Sequence, residues 1–112
     1  MNKKINILGT DYEIIETTDR EEPRLLSADG HCAHYDKRIF IEMDLFRCEK
    51  PGTDNSSAKA ERTKHIKRHE IVHAFVMESA AQHTTLDDEF CVHWIALMFP
   101  KLLKAFAEVD AL

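Results

Sequence analysis

The stretch Lys67-Arg68-His69-Glu70-Ile71-Val72-His73-Ala74-Phe75 contains His-Glu-x-x-His, and the rest of the chain has to fold so as to hold it. On an α-helix, residues four apart share a face and lie about 6 Å apart along the axis. Two imidazoles at that offset reach one tetrahedral zinc ion, and the glutamate beside the first can touch a water on that ion. The same letters also spell an ordinary polar helix face, so the flanking sequence decides between the two.

Upstream of the motif the patterning is that of strands. Ile5 and Ile7, then Tyr12 and Ile14, alternate with polar residues around a Gly9-Thr10-Asp11 turn, which predicts a β-hairpin over residues 4–17. Thr18 to Pro23 reads as a loop, and Leu25 to Asp29 is ambiguous up to Gly30. Residues 31–35, an Asp36-Lys37 turn and residues 38–43 predict a second hairpin. Phe40 faces opposite to Ile39 and Ile41, so both faces of that strand are expected to be covered. The same strand is also a candidate sheet edge for pairing with an extended peptide.

Residues 47–57, with Pro51-Gly52 and a run of Thr, Asp, Asn and Ser, read as a loop whose serines or asparagine cap the next helix. That helix is predicted from about Ala58 to Met77, without proline or glycine, and carries the motif. After a short polar connection, Thr84 or Thr85 is a candidate N-cap, with Asp87, Asp88 and Glu89 in the first turn of a second helix. Phe90, Trp94, Ile95, Met98 and Phe99 recur at helical spacing and are expected to pack as core; Pro100 is expected to kink or end the helix before an apolar tail. The expected fold is α+β: a small antiparallel or mixed sheet of two hairpins followed by two helices, as one domain over residues 1–112.

Bulk properties narrow the function. A net charge of -5 argues against a nucleic-acid surface, and Lys64, Lys67 and Arg68 suit the solvated face of the motif helix. Three cysteines, Cys32, Cys48 and Cys91, with no Cys-x-x-Cys spacing, suit reduced thiols. The basic start lacks an apolar core for a secretory signal, and no apolar run approaches the roughly 18 residues of a membrane span. The expectation is a soluble, cytoplasmic protein of undetermined oligomeric state, with no membrane partner.

A catalytic zinc site needs a third protein ligand. A histidine six residues after the second is excluded, because Val76 and Ser79 stand where Gly and His would be needed. A glutamate from the next helix is the other solution. Glu89 lies sixteen residues after His73, and a short turn brings its helix back antiparallel. Two histidines and one glutamate suit zinc.

His69-Glu70-Ile71-Val72-His73-Ala74-Phe75 with Glu78-Ser79, then Asp88-Glu89-Phe90-Cys91-Val92-His93-Trp94-Ile95-Ala96 and Pro100-Lys101, resembles the gluzincin metallopeptidases. The similarity is greatest to the small phage and mobile-element proteins akin to the ImmA/IrrE group and to the minigluzincins, which place two hairpins before the motif helix. A Gly-x-Cys near the second hairpin is matched by Gly30-His31-Cys32. The resemblance implies a zincin-like fold, Glu89 as third ligand and Glu70 as general base or acid. It departs four residues after Glu89, where an acidic or amide residue is usual and His93 stands here.

The function so implied is a zinc-dependent endopeptidase acting on a protein or peptide. Zinc lowers the pKa of its water towards about 7, Glu70 accepts that proton, and the metal polarises the carbonyl. An additional donor for the oxyanion is expected among His93, His83, His65 and Tyr35. His31 and His34 are set aside as a metal pair, because an offset of three on a strand puts them on opposite faces. The alternative is a non-catalytic accessory protein that keeps zinc as a structural clasp or uses its surface for a partner.

Overall fold

The computed structural model describes residues 2–45 and 54–112. Cys48 and the Pro51-Gly52 part of the expected loop lie outside them. The fold is α+β, a mixed four-stranded sheet with two helices. Strand β1 (Lys3–Ile7) pairs antiparallel with β2 (Thr10–Thr17), with Ile5 opposite Tyr12. The turn falls on Leu8 and Gly9 at φ 51° and 93°, earlier than the expected Gly9-Thr10-Asp11. Two successive left-handed residues match the twist of a two-residue hairpin.

Strands β3 (Gly30–Ala33) and β4 (Arg38–Glu42) form the second hairpin. Gly30 opens β3 rather than closing the segment before it; Pro23–Leu25 in that segment forms a 3-10 turn that buries Leu25. The hairpins join through a parallel pairing of β2 with β4, Ile14 opposite Ile39, which gives the order β1-β2-β4-β3. β4 is therefore interior, which corrects the expectation of a peptide-binding edge at residues 38–43. Its apolar character comes from burial on both faces. Ile39 and Ile41 join the main core with Ile7, Tyr12 and Ile66, while Phe40 packs with Leu25 and Ala33 on the other side. The free edge on that side of the sheet is β3.

Helix α1 (Ser56–Glu78) lies across the sheet and carries the motif. The expected serine or asparagine cap is not formed: Asn55 makes no side-chain capping bond. Asp54 instead accepts from the Ser56 amide at 3.2 Å and hydroxyl at 2.9 Å, which holds its carboxyl below the usual range. Lys67 Nζ meets Glu16 at 2.7 Å, and at the far end Glu78 accepts from Tyr12 Oη at 2.9 Å and Lys37 Nζ at 2.6 Å. These bonds set the rotation of α1, and hence which side of the motif faces β3.

Helix α2 (Glu89–Glu108) returns against α1. Thr84 caps a separate 3-10 turn, Thr85–Asp87, and Asp88 is the cap of α2, its carboxylate accepting from the Phe90 amide at 2.7 Å. Only Glu89 of the three acidic residues therefore stands in the first turn of α2. Pro100 neither ends the helix nor leaves a carbonyl bare. It has no N–H for the oxygen of Ala96, and Arg68 Nε donates to that oxygen at 2.6 Å.

The aromatic stripe of α2 corrects a second expectation. Only Val92 and Ala96 of this helix are buried; Phe90 is 73% exposed and Trp94 47%. The periodicity marks one apolar face correctly, but no third layer among the described residues covers it. By length and composition alone α2 is also apolar enough to cross a membrane, with a mean hydropathy of 1.4 over 18 residues. Pro100, Lys101 and Lys104 interrupt this stretch, which is why no continuous apolar run is visible in the sequence.

Candidate metal centre

Helical spacing puts His69 and His73 on one side of α1, and the capped turn at Asp88 delivers Glu89 to both. His69 Nε2 and His73 Nε2 are 3.2 Å apart. Glu89 Oε2 is 3.1 Å from His69 Nε2, and Glu89 Oε1 is 2.7 Å from His73 Nε2. Tetrahedral zinc with bonds of about 2.0–2.1 Å holds neighbouring ligand atoms about 3.3 Å apart.

The triangle is also difficult to satisfy with hydrogen bonds. Each imidazole can donate Nε2–H to one carboxylate oxygen, but then two N–H groups face each other across the His69–His73 side. One cation at the centre satisfies both rings and the carboxylate, so the donor set fits a zinc ion. His69 is held below the usual imidazole pKa, chiefly by burial and then by His73, with Glu89 opposing. A neutral ring is the form that binds metal.

Glu70 faces away from solvent into the gap between α1 and β3. It is 7% exposed, and its carboxyl is pushed up to about 7, chiefly by burial and then by Glu89, against a hydrogen bond from the Cys32 amide. Gly30 makes this approach possible. A Cβ there would lie 2.7 Å from Ile66 Cγ2 and 2.9 Å from Glu70 Oε2, inside van der Waals contact. Burial, with Glu70 adding to it, also pushes the Cys32 thiol up to about 12, so it is an inert neutral neighbour.

Glu70, His69, His73 and Glu89 line one cleft of about 350 Å³, bordered by Gly30 and Cys32 of β3. A larger groove of about 520 Å³ lies elsewhere on the α1–α2 seam, lined by Ile71, Phe75, Ile95 and Phe99 among others, without a metal-binding side chain. Of these two, the 350 Å³ cleft is the one with convergent polar groups, the property that marks a reactive site.

The chain matches no family model, no curated protein and no solved structure. The site is therefore read from its own geometry.

Of the four candidates for an oxyanion donor, two are distant in kind from the cleft. Tyr35 is 90% exposed at the β3–β4 turn, where its ring meets His34. His83 is an exposed left-handed turn residue whose amide donates to Asp87. Neither lines the cleft. His65 and His93 approach each other, with ring centroids 5.1 Å apart, on the far side of His69. His31, set aside in the sequence as one of a pair with His34, does line the cleft. Burial first, then Arg24, holds its imidazole below the usual pKa. The expected strand offset between His31 and His34 does not arise, because β3 ends at Ala33 and His34 stands in the turn; the packing of β3 against α1 brings His31 to the cleft.

Proposed function

We propose that the protein is a zinc-dependent endopeptidase of the small gluzincin type, with His69, His73 and Glu89 as the metal ligands and Glu70 as the general base. The carrying observation is the convergence of the His69, His73 and Glu89 side chains beside a buried glutamate. The sheet, motif helix and returning helix, in that order, support a zincin-like arrangement. Zinc held by this set supplies Lewis acidity, acidifying water and polarising a carbonyl.

Glu70 takes up the proton of the attacking water and passes it to the leaving amine. Its buried pocket, with a carboxyl near neutral, suits a group that must both accept and release a proton. β3 is the free strand beside the cleft, so an extended substrate adds to the sheet along Gly30–Ala33. His31, at the same strand, is the side chain nearest to hand as a donor to the developing oxyanion.

The test is metal content and cleavage of an unstructured protein by wild type and Glu70→Gln. One zinc per chain in both, with cleavage reduced by 100-fold or more in the variant, is expected. Cleavage indifferent to the substitution defeats the mechanism. The exposed apolar face of α2 favours a second reading, a non-catalytic partner-binding protein with a structural zinc. That reading predicts bound zinc and no cleavage by the wild type.

A further inference from the structure

Five side chains of metal-ligating type follow one another along the α1–α2 seam, not three. His65, His69 and His73 recur every four residues on α1, and Glu89 and His93 do so on α2. Because the helices return on each other, Glu89 meets His69 and His73, while His93 falls beside His65 and His69. Ring centroids are 5.1 Å apart for His65–His93, 6.2 Å for His65–His69 and 6.5 Å for His69–His93. One nitrogen from each of these three rings lies within 4.8 Å of the others.

A further concavity of about 230 Å³ opens at this place, lined by the three imidazoles with Glu70, Asp29 and Arg62. Arg62 is paired with Asp29 at 3.4 Å, which offsets its charge at the rim. Nδ1 of His65 is buried and has no hydrogen-bond partner among the described residues. A buried nitrogen left unpaired is costly, and a bound cation or its water relieves it.

We propose that His65, His69 and His93 form a second station for a transition-metal ion, one helical turn along the seam from the first and sharing His69 with it. A ligand set of three imidazoles favours Zn²⁺, Cu²⁺ or Ni²⁺ over Mg²⁺ or Ca²⁺. His69 makes the two stations alternatives. If both use the same ring nitrogen, one ion excludes the other. If they use different nitrogens, the neutral ring must give up its one N–H proton and bridge the two ions as an imidazolate. An ion at the second station lacks Glu89, so the chain can hold metal without completing the first triad.

The proposal rests on the first-triad reading only through His69, and its test removes the other two ligands of that triad. Cobalt(II) is titrated into His73→Gln/Glu89→Gln and into the same protein with His93→Gln added, following visible absorption and heat. The double variant is expected to bind one equivalent, and the triple variant to bind at least 10-fold more weakly. A folded double variant that binds no cobalt, or whose binding ignores His93→Gln, overturns the proposal.

Should the double variant not fold, Glu89→Gln alone, at an exposed side chain, is loaded with zinc and read by ¹⁵N imidazole shifts. Ligated values at His65 and His93 support the second station; ligated values confined to His69 and His73 overturn it. Neither readout involves cleavage. A wild type that binds zinc but cleaves nothing therefore removes the peptidase reading and leaves this one standing.

Discussion

Arg68 Nε donates to the Ala96 carbonyl at 2.6 Å, and that oxygen is the one Pro100 leaves without its helical partner. The bond crosses from α1 to α2 one residue before His69. It fixes how far α2 is slid along α1, and therefore whether Glu89 reaches the two imidazoles. Arg68→Met is expected to cost about 1–3 kcal/mol by leaving a carbonyl unpaired. Pro100→Ala in the same background restores an N–H to that oxygen and should recover much of the loss. A denaturant double-mutant cycle measures the coupling; additive effects of the two substitutions would contradict the pairing.

Gly30→Ala tests the close approach of β3 to α1. The added methyl meets Ile66, a branched core side chain, and Glu70. Overpacking of this kind costs about 1–3 kcal/mol. On the proposed mechanism, cleavage is expected to fall more than zinc affinity, because the methyl displaces Glu70 and not the proposed ligands. Unfolding curves together with metal titration separate the two effects; unchanged stability and cleavage would refute the contact.

Glu70 gives the metal-free protein a pH dependence of definite sign. Its folded-state carboxyl is pushed from 4.5 to about 7, so the folded form holds the proton more tightly than the unfolded form. Stability is fully present below about pH 4.5 and is lost as pH rises through about 7, by on the order of 3 kcal/mol. Glu70→Gln should flatten that slope in chelator. Denaturation at pH 5 and pH 8 provides the comparison, and parallel slopes for both proteins would count against the burial of this carboxyl.

Glu78 acts in the opposite direction. Lys37 first, then Tyr12, holds its carboxyl below the usual range. The stability this provides is present above the ordinary glutamate value and lost as pH falls through the depressed one. Glu78→Gln is expected to show a shallower loss on acidification, and α1 should loosen at its C-terminal end. Acid titration followed by circular dichroism checks the first, and amide exchange near Phe75 to Glu78 the second.

Zinc should stabilise the fold through linkage. At 100 times its dissociation constant a ligand adds about 2.7 kcal/mol. The rise in melting temperature with saturating zinc is expected to shrink in Glu89→Ala and to vanish with EDTA. An identical rise in wild type and Glu89→Ala would take Glu89 out of the ligand set.

Some of this was legible before any packing was known. A period of 3.6 residues is enough to put His69 and His73 on one face, because that relation is local to a single helix. The hairpins were legible for the same reason, since alternation and turn residues act within a few positions. The turn at Leu8-Gly9 and the cap at Asp88 were displaced by a residue or more, because several neighbouring polar residues compete for such positions and local signals do not rank them.

Other features were decided by tertiary structure, because they join elements that no period relates. The parallel pairing of β2 with β4 moved the apolar strand at Arg38–Glu42 to the interior and left β3 as the edge. The stripe of Phe90, Trp94 and Phe99 had the period of a buried face, but burial also requires a neighbour, and none among the described residues covers it. The sequence by itself determined the two imidazoles of the motif and the glutamate between them, through helix geometry. Only the return of α2 against α1 and the approach of Gly30 decided that Glu89 meets those rings, that His93 meets His65, and that Glu70 is buried. Those relations depend on the relative placement of separate elements, which side-chain packing sets.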